Sequence, residues 1–145
     1  MSGAAPKRPA PARVAHDPIF AVIDEHSAAL EALDDCLEVR EALETATLKA
    51  GRGMILLERQ RSSAARYFLA IELDAQTAFD QAERRLLRTP PRTTSGLLAL
   101  IRYLEKVENA HLLDADTLPD LLASIAAGLS HITGCEARAT KGGAS

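Results

Sequence analysis

Apolar residues recur at alternating spacings of four and three residues along most of the chain, which is the pattern of amphipathic α-helices. The first stripe follows Asp17-Pro18, where Asp17 can cap a helix start and Pro18 suits the first helical position. This stripe predicts one long helix that ends near residue 49. Its apolar face forms a candidate interaction seam made of Ile19, Ile23, His26, Leu30, Leu33 and Leu37.

A second stripe begins at Met54 and predicts another long helix. Gly51-Arg52-Gly53 precedes it and favours a turn, because glycine adopts the left-handed geometry that often ends a helix. Thr89-Pro90-Pro91 ends the second helix, since proline has no N–H and disfavours helical geometry in the residue before it. Within residues 54–72, short apolar runs on both sides of a polar stretch leave a β-hairpin open as the alternative.

Two shorter helices are predicted in the remaining chain. Thr93 or Thr94 can cap the third helix, which is expected to end near Ala110. Thr117 stands three residues before an acidic side chain, as in a capping box, and marks the start of the fourth helix. Gly134 is the expected C-terminal stop of that helix.

Long periodic segments joined by short connections favour antiparallel neighbours. We therefore expect an all-α fold in which a long, coiled-coil-like helical hairpin packs with two shorter helices in one bundle. Residues 17–134 form the expected single helical domain. Residues 1–16 hold three prolines and no apolar periodicity, which predicts a disordered cationic tail, and residues 135–145 are expected to form a second disordered tail.

Composition agrees with one small folded domain, because 47% of the 145 residues are hydrophobic and the formal net charge is only −3. The charge is segregated, with −8 over residues 17–48 and +4 over residues 49–92. The favoured interpretation is that complementary flanks pair the two long helices. The alternative is a small nucleic-acid-associated regulator, whose basic face would consist of Arg59, Arg61, Arg66, Arg84, Arg85, Arg88 and Arg92.

The sequence also indicates the cellular compartment in which the protein is expected. Cys36 and Cys135 lie far apart, and one bridge would not make a secreted disulfide framework. The N-terminal residues lack the apolar segment of a signal peptide, and the longest uncharged run is too short and too polar to span a bilayer. We therefore expect a cytoplasmic protein with reduced thiols and no membrane partner.

Two histidines are the candidates for chemistry. Glu108 and His111 have the Glu-x-x-His spacing of di-iron carboxylate bundles, but a second such tetrad is absent from the sequence, so a solvated helix end is favoured. His26 stands in the seam as a structural histidine, with a pH-sensitive switch or ligand group as the alternative. A helical metal-dependent enzyme around Glu108, His111 and His26 is thus the third interpretation. Arg40 continues the three- and four-residue spacing of the seam, and its side chain is expected to pair with an acid.

The sequence contains no nucleophile elbow, phosphate-binding loop or dinucleotide fingerprint, and Cys36 has no Cys or His at zinc-ligand spacing, so a buried apolar thiol is expected there. We therefore expect no catalytic residue, no cofactor-binding residue, no metal ligand and no small-molecule ligand. The expected function is non-catalytic association, either with a second copy of the chain or with a helical protein partner.

Two stretches, DPIFAVIDEHSAALEALDDC and LLRTPPRTTSGLLALIRYLEKVE, resemble a family of small uncharacterised helical proteins of alphaproteobacteria, rhizobia especially. The resemblance covers roughly residues 17–43 and 73–130. It implies a helical fold in a bacterial, cytoplasmic context. It supplies no activity, cofactor or site residue.

Overall fold

The structure, a computed structural model, describes Gly3 and residues 16–49 and 55–142. Within these ranges, the side chains of residues 47, 55–64 and 139 are not described. Helix α1 spans Pro18–Lys49, α2 spans Ile55–Arg88, α3 spans Thr94–Leu104 and α4 spans Leu118–Lys141, with a 3-10 helix at Val107–Leu113 between the last two. These residues contain no strand, so the all-α prediction is confirmed and the hairpin alternative is wrong from Ile55 onward. The expected glycine turn, Met54, most of the N-terminal tail and residues 143–145 lie outside the described residues.

Helices α1 and α2 run antiparallel and are joined by two ion pairs between described residues. Arg85 Nη1 lies 2.7 Å from Glu25 Oε2, and Arg40 Nη1 lies 2.7 Å from Glu72 Oε1. The expected acid partner of Arg40 is therefore present. The Glu25–Arg85 pair joins an acid of α1 to a base of α2, as the segregation of charge predicted, whereas the Arg40–Glu72 pair has the reverse polarity. Because the pairs are largely exposed, each contributes little stability, about 0–1 kcal/mol.

The core lies where α1 begins and α2 ends, which we call the closed end of the bundle. Ile19, Leu86, Leu100, Tyr103 and Leu112 form the buried cluster there. These residues come from α1, α2, α3 and the 3-10 helix, and partly buried side chains from α1, α3 and α4 pack against them. The closed end is therefore the part of the molecule in which all five helical segments meet.

Asp17 fastens α1 to the start of α3. Its Oδ1 accepts a hydrogen bond from the Ile19 N–H at 3.2 Å, and its Oδ2 accepts from the Arg92 N–H, the Thr93 N–H and the Thr93 hydroxyl, each at 2.8 Å. The Thr93 hydroxyl oxygen in turn accepts from the Gly96 N–H at 3.0 Å. Capping of α1 by Asp17 and of α3 by Thr93 is thus confirmed, and one carboxylate links both caps.

Helix α3 ends at Leu104 rather than near Ala110, which corrects the sequence prediction. The buried Asn109 side chain donates from Nδ2 to the Tyr103 carbonyl at 2.8 Å, and the Lys106 N–H donates to the same carbonyl at 3.3 Å. The Tyr103 carbonyl therefore accepts from these two donors and not from the N–H that a further turn of α3 would place there, so the helix ends. The chain then forms the 3-10 helix, which turns His111 back toward the core.

The start and the end of α4 also differ from the sequence predictions. The Thr117 hydroxyl does not cap α4, because it donates to the His111 carbonyl at 3.0 Å and so ties the 3-10 helix to α4. Gly134 does not stop the helix, which continues to Lys141 and ends at Gly142. Arg138 and Lys141 in the last turn favour this longer helix, because cations stabilise the negative end of the helix dipole. Residues 135–141 are therefore helical and not a disordered tail.

Candidate functional site

The six seam residues of α1 differ in their surroundings. Ile19, His26 and Leu33 are buried within the chain, Ile23 and Leu30 are half-buried, and Leu37 is exposed. The first part of the seam therefore packs against the protein's own helices. The last residue of the seam, Leu37, does not pack in this way.

A polar cluster lies inside the closed end, where three elements meet. His26 of α1 is completely buried, and its imidazole stacks with that of His111 from the 3-10 helix at a ring-centroid distance of 5.7 Å and an interplanar angle of 17°. Glu83 of α2 joins them, with its Oε1 3.5 Å from His111 Nε2. One nitrogen or oxygen atom from each of the three side chains lies within 4.8 Å of the other two. We call these three residues the His–Glu–His cluster.

The outer ring nitrogens of the cluster have fixed partners. His26 Nδ1 lies 2.7 Å from the Tyr103 hydroxyl, and His111 Nδ1 lies 3.1 Å from the Glu108 carbonyl oxygen. Because a carbonyl oxygen accepts and never donates, His111 carries a hydrogen on Nδ1, and in the neutral ring its Nε2 holds a free lone pair. Both Nε2 atoms are buried without a hydrogen-bond partner among the described residues.

The electrostatic setting keeps the imidazole of His26 neutral. Burial, reinforced by His111, lowers the pKa of His26 to about 4. Burial raises the pKa of Glu83, an effect that His111 opposes and Asp80 reinforces. The Phe79 ring forms an apolar wall, with its centroid 5.2 Å from that of His26 and 5.5 Å from that of His111.

The expectation of a solvated helix end is wrong for His111, which is half-buried and faces His26. Glu108 is exposed, and the carboxylate that joins the histidines comes from Glu83, which the sequence analysis did not single out. Glu83 stands four residues after Phe79, the spacing of one helical face, so the sequence contained a signal that this acid points inward.

Comparison of the chain with protein-family models, curated proteins and solved structures found no match. Across residues 16–49 and 55–142, none of the helices has the length and hydropathy needed to cross a bilayer. Functional inference therefore starts from the side chains themselves.

A second feature lies at the opposite end of the helical hairpin. From Leu37 to Lys49, every described side chain of α1 is exposed, although the segment is helical throughout. Apolar side chains of α2 are exposed in the stretch that faces this part of α1, and Tyr67 is 66% exposed. We call this region the open-end surface; its exposed large apolar residues are Leu37, Val39, Leu43, Leu48, Tyr67, Leu69, Ile71 and Leu73.

The remaining candidates have simpler surroundings. All five described arginines of the proposed basic face are exposed, and one of them, Arg85, pairs with Glu25. The side chains of Arg59 and Arg61 lie outside the described detail.

The two thiols also differ from each other. Cys36 is half-buried rather than fully buried as expected. Cys135 is exposed, with its Sγ 3.8 Å from His131 Nε2.

Proposed function

We propose that the protein is a helical self-association module that pairs with a second copy of itself through the open-end surface. The observation that carries this proposal is the last part of α1, a helix from Leu37 to Lys49 in which every described side chain is exposed. Helices in proteins obtain most of their stability from packing an apolar face. A partner that covers this segment would supply the packing that the subunit does not.

The exposed apolar side chains are also concentrated. Single exposed apolar residues are normal on a protein surface and need no explanation. Here eight large apolar side chains fall within two facing segments of one hairpin, and Leu48 is 83% exposed. Positions two apart on a helix point about 200° apart, so these side chains lie on more than one face of the hairpin, and their concentration at one end is what favours association there.

A second copy is the proposed occupant. Glu38, Glu41 and Glu44 are exposed on the open-end part of α1, and Arg66 is exposed on the facing part of α2. A two-fold axis places the same surface on both subunits. Antiparallel pairing of two hairpins would set the acidic part of α1 in each copy beside Arg66 of the other and give a four-helix arrangement. The bacterial cytoplasm implied by the alphaproteobacterial resemblance is the proposed cellular context.

The test is the subunit number of the full-length protein, measured by native mass spectrometry and by light scattering after size exclusion. We expect a mass twice the 15.5 kDa of the chain. The double variant Leu43→Glu/Leu69→Glu is expected to be monomeric with unchanged helical circular dichroism, because both side chains are exposed in the subunit. Leu122→Glu on α4 is the matched control, since Leu122 is also exposed but lies outside the open-end surface, and it should remain dimeric.

A wild-type monomer at every concentration tested would contradict self-association, as would a dimer that survives the double variant. The same measurements separate the nucleic-acid alternative. A phosphate-binding protein would be isolated with bound nucleic acid and would lose it steeply as salt is added. Protein binding releases the cations condensed on the phosphates, and added salt opposes that release. A dimer held by apolar contacts should instead persist in high salt.

A further inference from the structure

We propose that the His–Glu–His cluster of His26, Glu83 and His111 is a binding site for a zinc ion. The site lies inside the closed end and shares no residue with the open-end surface. It therefore goes beyond the proposed association and can be tested separately from it.

The donor atoms are those that zinc prefers. Two imidazole nitrogens and one carboxylate oxygen form a three-ligand set that leaves a fourth coordination position for water. Imidazole ligands favour zinc and its transition-metal neighbours over magnesium and calcium, which take oxygen ligands. Glu83 supplies a negative charge, and Asp80, one turn earlier on α2, adds to the negative potential at the carboxylate.

The distances are close to those of a bound ion. With zinc-ligand bonds of about 2.0–2.1 Å, neighbouring ligand atoms in a tetrahedral site lie about 3.3 Å apart. His111 Nε2 and Glu83 Oε1 are already 3.5 Å apart, and all three ligand atoms lie within 4.8 Å of one another. Binding would require the widest separation, at most 4.8 Å, to shrink to about 3.3 Å.

The unpartnered nitrogens provide the second, independent observation. Buried polar atoms nearly always have a hydrogen-bond partner, yet Nε2 of the completely buried His26 has none among the described residues, and His111 Nε2 has only the Glu83 carboxylate oxygen at 3.5 Å. A metal ion between them would occupy both lone pairs.

The opposite ring nitrogens have the partners that metal-binding histidines usually have. A histidine ligand normally donates its other N–H to a carbonyl, a carboxylate or water, which fixes the tautomer and orients the ring. The Glu108 carbonyl does this for His111, and the Tyr103 hydroxyl is placed to do it for His26. The Phe79 ring packs against both imidazoles and limits access of water from that side.

Zinc binding is tested on metal-free, full-length protein by calorimetric titration with Zn²⁺ and by the visible absorption of Co²⁺, which reports four-coordinate geometry. The exposed His131 and Cys135 side chains form a separate pair that zinc can occupy. Wild type and Cys135→Ser are therefore titrated in parallel. We expect one buried zinc per chain in both proteins, with no response to Mg²⁺ or Ca²⁺.

Glu83→Gln and Glu108→Gln form the matched pair of variants. Glu83→Gln replaces a ligand with a side chain of the same shape and should weaken zinc binding by at least about 100-fold, beyond the effect of a typical outer-shell change. Glu108→Gln alters an exposed acid whose backbone carbonyl still contacts His111, so the affinity should not change. His111→Gln serves as the second ligand variant, and circular dichroism confirms that each variant is folded.

Tyr103→Phe tests whether zinc binds through His26, because zinc bound elsewhere on the protein would not respond to the loss of this hydroxyl. It keeps the packing of the ring and removes the hydroxyl beside His26 Nδ1, so zinc should bind about 10–100-fold more weakly. Three results would overturn the proposal: no zinc bound by folded wild type, an affinity that Glu83→Gln and His111→Gln leave unchanged, or binding that Cys135→Ser abolishes.

Discussion

Asp17→Ala is expected to lower the free energy of unfolding by about 3 kcal/mol, because it leaves several buried donors without an acceptor. The carboxylate accepts from the N–H groups of Ile19, Arg92 and Thr93 and from the Thr93 hydroxyl, and Asp17 itself is only 3% exposed. These bonds join the first turn of α1 to the first turn of α3, so both helix starts should loosen together. Urea unfolding followed by circular dichroism measures the loss.

Asp24→Ala is the matched control, because Asp24 is an exposed acid of the same helix and should change stability by less than about 0.5 kcal/mol. Asp17→Asn should fall between wild type and Asp17→Ala, since the amide keeps one acceptor oxygen. Equal stability of Asp17→Ala and Asp24→Ala would contradict the role given to Asp17.

The same carboxylate predicts how stability depends on pH. Burial raises the pKa of Asp17, but the hydrogen bonds from Ile19, Thr93 and Arg92 outweigh burial, so the folded pKa lies below the ordinary value of 3.8. A lowered folded pKa means that the ionised form stabilises the fold at pH values above 3.8, and that this contribution is lost as the pH falls through the folded pKa. The Asp17→Asn variant should lose stability less steeply than wild type in this acid range.

Gly96→Ala is expected to cost about 3 kcal/mol, although alanine is a better helix former than glycine by up to about 1 kcal/mol. A Cβ atom at this position of α3 would lie 2.7 Å from Asp17 Cγ, 2.8 Å from Ile19 Cγ2 and closer still to Asp17 Oδ2. The carboxylate would have to move away, and its hydrogen bonds to the start of α3 would be lost with it. Urea unfolding again provides the measurement.

Gly134→Ala is the control for this glycine, because nothing lies within 4 Å of a Cβ built there and the position is inside α4. It should stabilise the protein by about 0.5–1 kcal/mol through helix propensity. In an Asp17→Ala background the cost of Gly96→Ala should shrink, because the two changes disrupt the same contact. Additive effects of the two variants would show that the clash at Gly96 does not act through Asp17.

Some of these features were predictable from the sequence because they depend on neighbouring residues alone. Helical periodicity needs only spacings of three and four, so the two long helices and the all-α class followed from it. The caps at Asp17 and Thr93 and the stop at Thr89-Pro90-Pro91 are equally local, and the structure has a helix boundary at each of them. The acids of α1 and the bases of the following segment also predicted a pairing of the two helices, and the Glu25–Arg85 contact has that polarity, whereas Arg40–Glu72 has the reverse one.

Periodicity alone did not decide what each apolar face would contact. The stripe of α1 has the same spacing throughout, yet Ile19 is buried in the closed end and Leu37 is exposed. The difference arises because α3, the 3-10 helix and α4 pack over one end of the hairpin. An apolar stripe looks the same in sequence whether its own chain or a second subunit covers it.

The sequence by itself determined the helical class, most helix starts and the segregation of charge, because each depends on residues within a turn or two of one another. The tertiary structure alone decided that α3 ends at Leu104 and that His111 turns inward, since both depend on the bond from Asn109 to the Tyr103 carbonyl. It also brought His26, Glu83 and His111 together from three separate elements. Such a meeting depends on how the helices pack, and packing is a property of the whole fold rather than of any local pattern.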